Sequence, residues 1–355
     1  ASRVFWLVAY PTQSHEMLFD AHTRAFAAFG GVPRRGIYDN MKTAVDKVGK
    51  AKTRTVNARF QAMCSHYLFE PVFCNRAAGW ENGIVEKNVQ DRRRQLWQAL
   101  AQQSWPSLDA LNAWLAHECR SAWTMIAHPE WPGLSLADVL ENEQAQLMPL
   151  PQAFDGYVEQ PARVSATSLV SYQRNRYSVP VEHAHRIVSL RAYPDTLVVV
   201  AEGQVIAQHR RCFDREQTLY DWQHYVPVLA RKPGALRNGA PFTQMPEAFQ
   251  QLKQHLLRHS GGDRVMVQVL ACVAEHGVEA VQMAVESALA SERTSGEHVL
   301  FPTLFRKAIP RYFRTGQGSF SRIIWHRPEE DSAARERSGR ESMGVADELT
   351  GLTGR

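Results

Sequence analysis

The sequence predicts an α/β layer over the first hundred residues, then a small antiparallel β-barrel, then a C-terminal helical segment. Three observations predict this order. Between residues 4 and 102, apolar β-branched and aromatic runs alternate with stretches of helical apolar spacing. From Ala162 to about Tyr220, short apolar runs are separated by turn residues. From Phe242 to Ala290 the helical spacing returns.

In the first part, Val4-Phe5-Trp6-Leu7-Val8-Ala9-Tyr10 is a continuous apolar run, read as a strand buried on both faces. Glu16 to Phe29 has helical spacing, and Gly30-Gly31 ends it. Gly36-Ile37-Tyr38 is a short strand leading to Asp39-Asn40, and Lys42 to Arg54 is basic and polar enough to read as loop. Ala58 to Tyr67 is a short amphipathic helix, and Phe69 to Cys74 a strand. Asn75 to Gly83 is a turn, after which a long helix runs from Ile84 to about Gln102, burying Val85, Val89, Leu96 and Leu100.

Trp105-Pro106 opens a helical stretch over Ser107 to Thr124, and Pro129, Pro132, Pro149, Pro151 and Pro161 punctuate a connecting region. Strand signals follow at 168–172, 177–179, 187–193, 196–201 and 204–209, with Asp195 and Glu202-Gly203 at tight turns. Pro310 onward is rich in Gly, Ser and Arg, and is expected to be a disordered tail. The expected domains are an α/β core (1–104), a helical segment and connector (105–161), the barrel (162–240), a helical region (241–309) and the tail (310–355).

Composition narrows the function classes. Hydrophobic residues make up 44% and charged residues 22% of the 355-residue chain, as in an ordinary globular protein. No apolar run reaches the length of a membrane span, and no signal peptide is visible. The chain starts at Ala1 rather than Met, so it is expected to begin inside a longer protein. Its five cysteines are scattered and form no CxxC pair, which fits a reducing cytoplasm. Net charge is +5, yet residues 1–100 hold fifteen Lys/Arg against eight Asp/Glu. A basic first segment points to a polyanion, most economically nucleic acid, although a solvated basic face is an equal reading of charge alone.

Asp39 and Glu86 are the candidate chemical residues. Asp39 ends a strand, where open α/β sheets place ligands, and Glu86 sits in the first turn of a helix whose dipole favours an ionised carboxylate. Two such carboxylates can hold a divalent metal through oxygen. Glu86, Gln90, Arg93 and Trp97 share a helix face; Lys87 and Arg92-Arg93-Arg94 add positive charge there, as Arg34-Arg35 and Lys42 do around Asp39. Spacing alone favours a plainer reading, because two acids 47 residues apart are a weak signal. On it, Asp39 is a turn residue and Glu86 an ordinary helix-start carboxylate. In the barrel, Tyr172, Arg174, Arg176 and Tyr177 mix aromatic and basic groups suited to DNA backbone contacts. His183 and His185 form an HxH pair with no third ligand in view.

A resemblance bears on these residues. The run Phe26 to Val45, containing Gly30-Gly31-Val32-Pro33-Arg34-Arg35-Gly36-Ile37-Tyr38-Asp39-Asn40-Met41-Lys42, resembles the second-aspartate block of IstA-type insertion-sequence transposases. His66 to Pro71 and Asn82-Gly83-Ile84-Val85-Glu86 are similar to that family's next strand and catalytic-glutamate helix. Asn175-Arg176-Tyr177-Ser178-Val179-Pro180 and Arg231-Lys232-Pro233-Gly234-Ala235-Leu236 resemble its barrel and the segment after it. The resemblance implies a DDE-type enzyme of the retroviral-integrase superfamily, with an RNase H-like core whose first strands are missing here. It implies Mg²⁺ or Mn²⁺, binding of transposon ends and target DNA, strand transfer, homo-oligomers on DNA, and an AAA+ ATPase helper of the IstB type. Asp39 then matches the second catalytic acid and Glu86 the third. The family's first aspartate lies upstream of residue 1, so the chain is expected to be catalytically incomplete. The alternatives are a remnant that binds transposon ends without cutting, and a nuclease unrelated to transposition.

Overall fold

The computed structural model describes residues 2–38, 44–48, 54–73, 100 and 102–290. The chain divides into two compact units, residues 1–275 and 276–355.

The first unit opens with residues 4–10, the run predicted as a doubly buried strand. Among the described residues it enters no ladder and is half-buried. Side chains of helix α3 (Leu108–Met125) satisfy its backbone instead. Asn112 accepts from Ala9 N at 2.7 Å and donates to Ala9 O at 3.0 Å, and Trp123 Nε1 donates to Phe5 O at 2.9 Å. The apolar pattern identified a packing surface, but periodicity does not say which group will satisfy its N–H and C=O groups.

Helix α1 (His15–Phe29) buries Met17, Phe19 and Phe26 and ends where Gly30 adopts φ 78°, a left-handed cap that costs glycine little. Gly31 is needed for a different reason. A Cβ there would lie 2.7 Å from Leu147 Cβ and 2.9 Å from Met148 O, blocking the Val32–Met148 bridge that ties this turn to the connector. Strand β1 (Arg35–Tyr38) follows. The basic stretch predicted as loop contains a short hairpin, β2 (Val45–Val48) antiparallel to β3 (Arg54–Val56). Composition conceals a hairpin this short, because its ladder is made by the backbone. Helix α2 (Ala58–Tyr67) starts where the Asn57 side chain accepts from Arg59 N and Phe60 N. Strand β4 (Glu70–Phe73) then pairs parallel with β1. Phe19, Phe26, Tyr38, Phe60, Tyr67 and Phe69 form the core between these elements.

After α3, helix α4 (Leu136–Gln144) begins with a reciprocal capping box between Ser135 and Asp138. Seven strands follow: β5 (Val158–Arg163), β6 (Leu169–Tyr172), β7 (Asn175–Ser178), β8 (Ile187–Ala192), β9 (Thr196–Ala201), β10 (Gln204–Arg210) and β11 (Thr218–Leu219). The predicted antiparallel pairing is present in every ladder except β11–β7, which is parallel, but among the described residues the predicted closure into a barrel is not found. Among the described residues, β10-β9-β8-β5 form one sheet and β11-β7-β6 another, over a shared core of residues such as Val170, Tyr177, Leu190, Leu197 and Val199. Closure would need ladders between the outer strands β5 and β10 of one sheet and β6 and β11 of the other, but β11 is only two residues long, and the chain passes from β7 to β8 through Pro180, which has no N–H to donate, and a 3₁₀ turn at Val181–His183. The β6–β7 turn, Gln173-Arg174, has positive φ at both residues (46° and 68°), the twist that matches a two-residue hairpin.

A buried ion pair joins the helical and sheet parts of this unit. Arg211, just after β10, donates to Glu16 Oε1 at 2.8 Å, with both side chains almost fully excluded from solvent (1% and 2% exposed). Arg211 also donates to Tyr193 O and Gln173 Oε1.

Downstream, a 3₁₀ turn (Trp222–Tyr225) leads into α5 (Val226–Leu229), α6 (Ala235–Asn238), α7 (Glu247–Leu256) and α8 (Gly262–His276). In the second unit the described element is α9 (Val278–Ala290). The helical prediction for 242–290 thus resolves into separate helices. No described helix is long and apolar enough to cross a membrane, and the predicted disordered tail lies outside the described residues.

Two outcomes are expected. Arg211→Met leaves the Glu16 carboxylate buried without its partner, which should lower unfolding free energy by about 3–5 kcal/mol in urea titrations. Glu16→Gln in that background should recover part of the loss, and additive losses would contradict the pairing. The second outcome concerns pH. Burial lowers the pKa of His22, His209 and His224, the last to about 4. Each is neutral in the fold but protonates near pH 6.5 when unfolded, so stability should fall as pH drops from about 6.5 toward 4. The urea midpoint of His224→Gln should change less over that window than the wild type's.

Candidate functional site

The parallel pairing of β1 and β4 brings the C-terminal ends of both strands to one edge. Tyr38 and Phe73 are register partners there, with ring centroids 5.9 Å apart. The next residue after Tyr38 in the sequence is Asp39. Beneath this edge lies a polar contact without charge. His22 Nδ1 meets Leu18 O at 2.7 Å and His22 Nε2 meets Tyr38 Oη at 2.8 Å. A carbonyl only accepts, so Nδ1 carries the hydrogen and the Tyr38 hydroxyl donates to Nε2. Desolvation lowers the His22 pKa and raises that of Tyr38, which keeps both neutral at pH 7. Phe60 stands edge-on to Tyr38 at 5.0 Å, and Phe69 stacks on His22 at 6.2 Å. The strand end therefore rests on a tightly packed aromatic base.

The other face of this strand pair is open. Arg35 meets Glu70 across the register at 3.2 Å in an exposed ion pair, and Ile37 is 64% exposed. Arg34 and Arg35 are both exposed at the start of β1, roughly 10 Å of strand rise from Tyr38.

Arg174 and Arg176 are exposed on the β6–β7 hairpin, and neither has an ion-pair partner among the described residues. Asn175 between them is buried, and its side chain donates to Cys212 O and Asp214 O (both 2.8 Å) and accepts from Gln217 N (2.9 Å). That staple holds the 212–217 loop, with exposed Arg215, against the hairpin. Sequence reasoning missed Asn175 and Arg215. The one local signal was an amide residue directly after a tight turn. Asp39, Lys42, Glu86, Lys87, Gln90, Arg92, Arg93 and Arg94 lie outside the described residues. Among the described residues, no group of three or more His, Cys, Asp or Glu could hold a metal ion.

Comparison with known proteins bears on both regions. Residues 150–221, which contain β5 to β11, match the family described as Mu transposase, C-terminal domain. Over 304 residues the chain is 55% identical to the transposase for insertion sequences IS1326/IS1353 of Pseudomonas aeruginosa, covering 84% of this chain and 59% of that protein. A transposase of Aminobacter aminovorans is 54% identical over the same shares. The transposase for insertion sequence element IS21 of Pseudomonas aeruginosa is 30% identical over 233 residues, 64% of this chain and 58% of that protein. The chain spans about three fifths of the length of these curated relatives. From the parallel strand pair to the stapled hairpin, the chain is similar to the transposases of IS21- and IS1326-type insertion sequences.

Proposed function

We propose that this chain is part of a DDE-type transposase that joins the 3′ ends of its insertion sequence to target DNA. The observation that carries the reading is the identity of more than half, over 304 residues, to proteins named as transposases of insertion sequences. On this reading residues 1–104 belong to an RNase H-like core. Asp39 is the second acidic residue of its triad and Glu86 the third. The seven strands β5 to β11 form the DNA-contacting β-domain.

The donor chemistry suits a hard divalent ion. Asp39 and Glu86 offer carboxylate oxygens without thiolate or imidazole, the ligand set that Mg²⁺ or Mn²⁺ prefers. When bound, such an ion supplies activation of the attacking hydroxyl and stabilisation of the leaving oxygen in phosphodiester chemistry. The protein's own part is positioning. Tyr38, held by His22, fixes the strand that precedes Asp39. Arg34, Arg35, Lys42, Lys87, Gln90, Arg92, Arg93 and Arg94 contact DNA near the acids, and Arg174 and Arg176 contact the backbone from the hairpin. An AAA+ ATPase of the IstB type is the proposed helper, with the transposase acting in the cytoplasm as a homo-oligomer on DNA.

The competing reading is a remnant that binds transposon ends without cutting. The unpaired exposed arginines of the hairpin would serve that role equally well. In a protein of its relatives' full length, Glu86→Gln should abolish joining of a 3′ end to target DNA while leaving end binding intact. Undiminished joining by the variant would remove Glu86 from the chemistry. Binding itself should weaken steeply with salt, as counterion release from phosphate contacts requires. A flat response in titrations against KCl would contradict a backbone-dominated interface.

A further inference from the structure

Charge is sorted along this chain more sharply than its net value implies. Residues 121–162 contain six Asp/Glu and no Lys or Arg. Residues 222–262 contain five Lys/Arg (Arg231, Lys232, Arg237, Lys253 and Arg258) against the single acid Glu247. Arg231, Lys232, Arg237 and Arg258 are exposed and Lys253 is half-buried. None of the five has an ion-pair partner among the described residues.

The fold gathers these cations on a firm base. The Arg237 guanidinium donates to Leu257 O at 3.4 Å, which brings α6 to the end of α7 beside Arg258. Lys253 Nζ donates to Phe242 O at 3.3 Å. Consecutive turns, with Arg231 N and Lys232 N donating to Val228 O and Ala235 N donating to Lys232 O, hold the Arg231-Lys232 pair against the start of α6. Leu229, Leu236, Phe249 and Leu252 are fully buried beneath.

We propose that this α5–α7 surface is a second DNA-binding site, one that holds the phosphate backbone of a duplex without reading its sequence. The inference rests on the DNA-acting reading above and adds a site to it. Its chemistry is point charge without an apolar anchor. Within 222–262 the only large apolar side chain among the described residues that is exposed is Val228, at 36%. Protein interfaces depend on buried aromatic or aliphatic anchors, which this surface lacks, whereas phosphate contacts need only cations free to release counterions. The acidic stretch 121–162, by contrast, carries the charge that a duplex repels.

The test uses the full chain and a duplex oligonucleotide of unrelated sequence, with affinity measured by fluorescence anisotropy over a series of KCl concentrations. The triple variant R231A/K232A/R258A should bind more weakly, and its log–log salt slope should be shallower by about 2.7, close to 0.9 per lost phosphate contact. The charge-preserving variant R231K/R258K should keep the wild-type slope. Should the triple variant lose its cooperative urea transition, Lys232→Gln alone, at an exposed position, should lower the slope by about 0.9. A steep wild-type slope left unchanged in the variants overturns this site while leaving the transposase reading intact. Absence of wild-type DNA binding at any salt overturns both. A variant that alters sedimentation of the free protein but not its DNA affinity marks the surface as a contact between protein chains, and overturns the proposal.

Discussion

Glu16 and Arg211 are 195 residues apart in sequence and meet in an ion pair from which water is excluded. Removing two charges from water is costly, and the cost is offset only when geometry is good and the remaining hydrogen-bonding capacity is used. Both conditions are met. Arg211 also donates to Tyr193 O and Gln173 Oε1, and its guanidinium lies over Tyr172 and Phe213 at 5.3 and 4.8 Å. Ser14 Oγ donates to Glu16 Oε1 at 2.5 Å. Neither partner can shift without stranding the other, so the first turn of α1 and the end of β10 are held in one arrangement. The β6–β7 turn is included through Gln173.

A second tie reinforces this junction. Arg59 on α2 donates to Asp155 O and Tyr157 O, and its guanidinium sits 4.7 Å from the Tyr157 ring, which Arg191 approaches at 4.9 Å. Arg191 pairs with Glu159 on the neighbouring strand. Two arginines sharing one tyrosine keep the connector that enters β5 pressed against α2. Both ties use arginine, whose planar, weakly hydrated cation can donate and stack at once. By contrast, the base of the β1 edge is uncharged. His22 and Tyr38 satisfy each other as neutral groups, so β1 ends on a base that carries no buried charge.

Much of the fold was legible because local chemistry and packing agreed. Asn57 caps α2 where the apolar spacing begins, and Gly30 stops α1 where the spacing ends. The Glu202-Gly203 turn has positive φ at both residues, as a two-residue hairpin needs. The Gln173-Arg174 turn was harder to read, because it achieves the same geometry without glycine. The hairpin of β2 and β3 was hidden by its polar composition. The candidate acids came from resemblance rather than from spacing, since two carboxylates far apart in sequence carry no geometric information until a sheet brings strand ends together.

By itself the sequence determined the alternation of helices and strands, their caps and turns, the basic and acidic stretches, and the kinship with insertion-sequence transposases. These are properties of neighbouring residues, or of a pattern that survives without coordinates. Only the tertiary structure decided which elements pair and what satisfies their backbones. It gave residues 4–10 to the side chains of Asn112 and Trp123 rather than to a ladder, and left the seven strands as two sheets instead of a barrel. It also set Arg211 against Glu16 and closed Asn175 over the 212–217 loop. The physical reason is common to all four. A buried polar group must find a partner, and which partner it finds depends on distances that open only when the chain has folded.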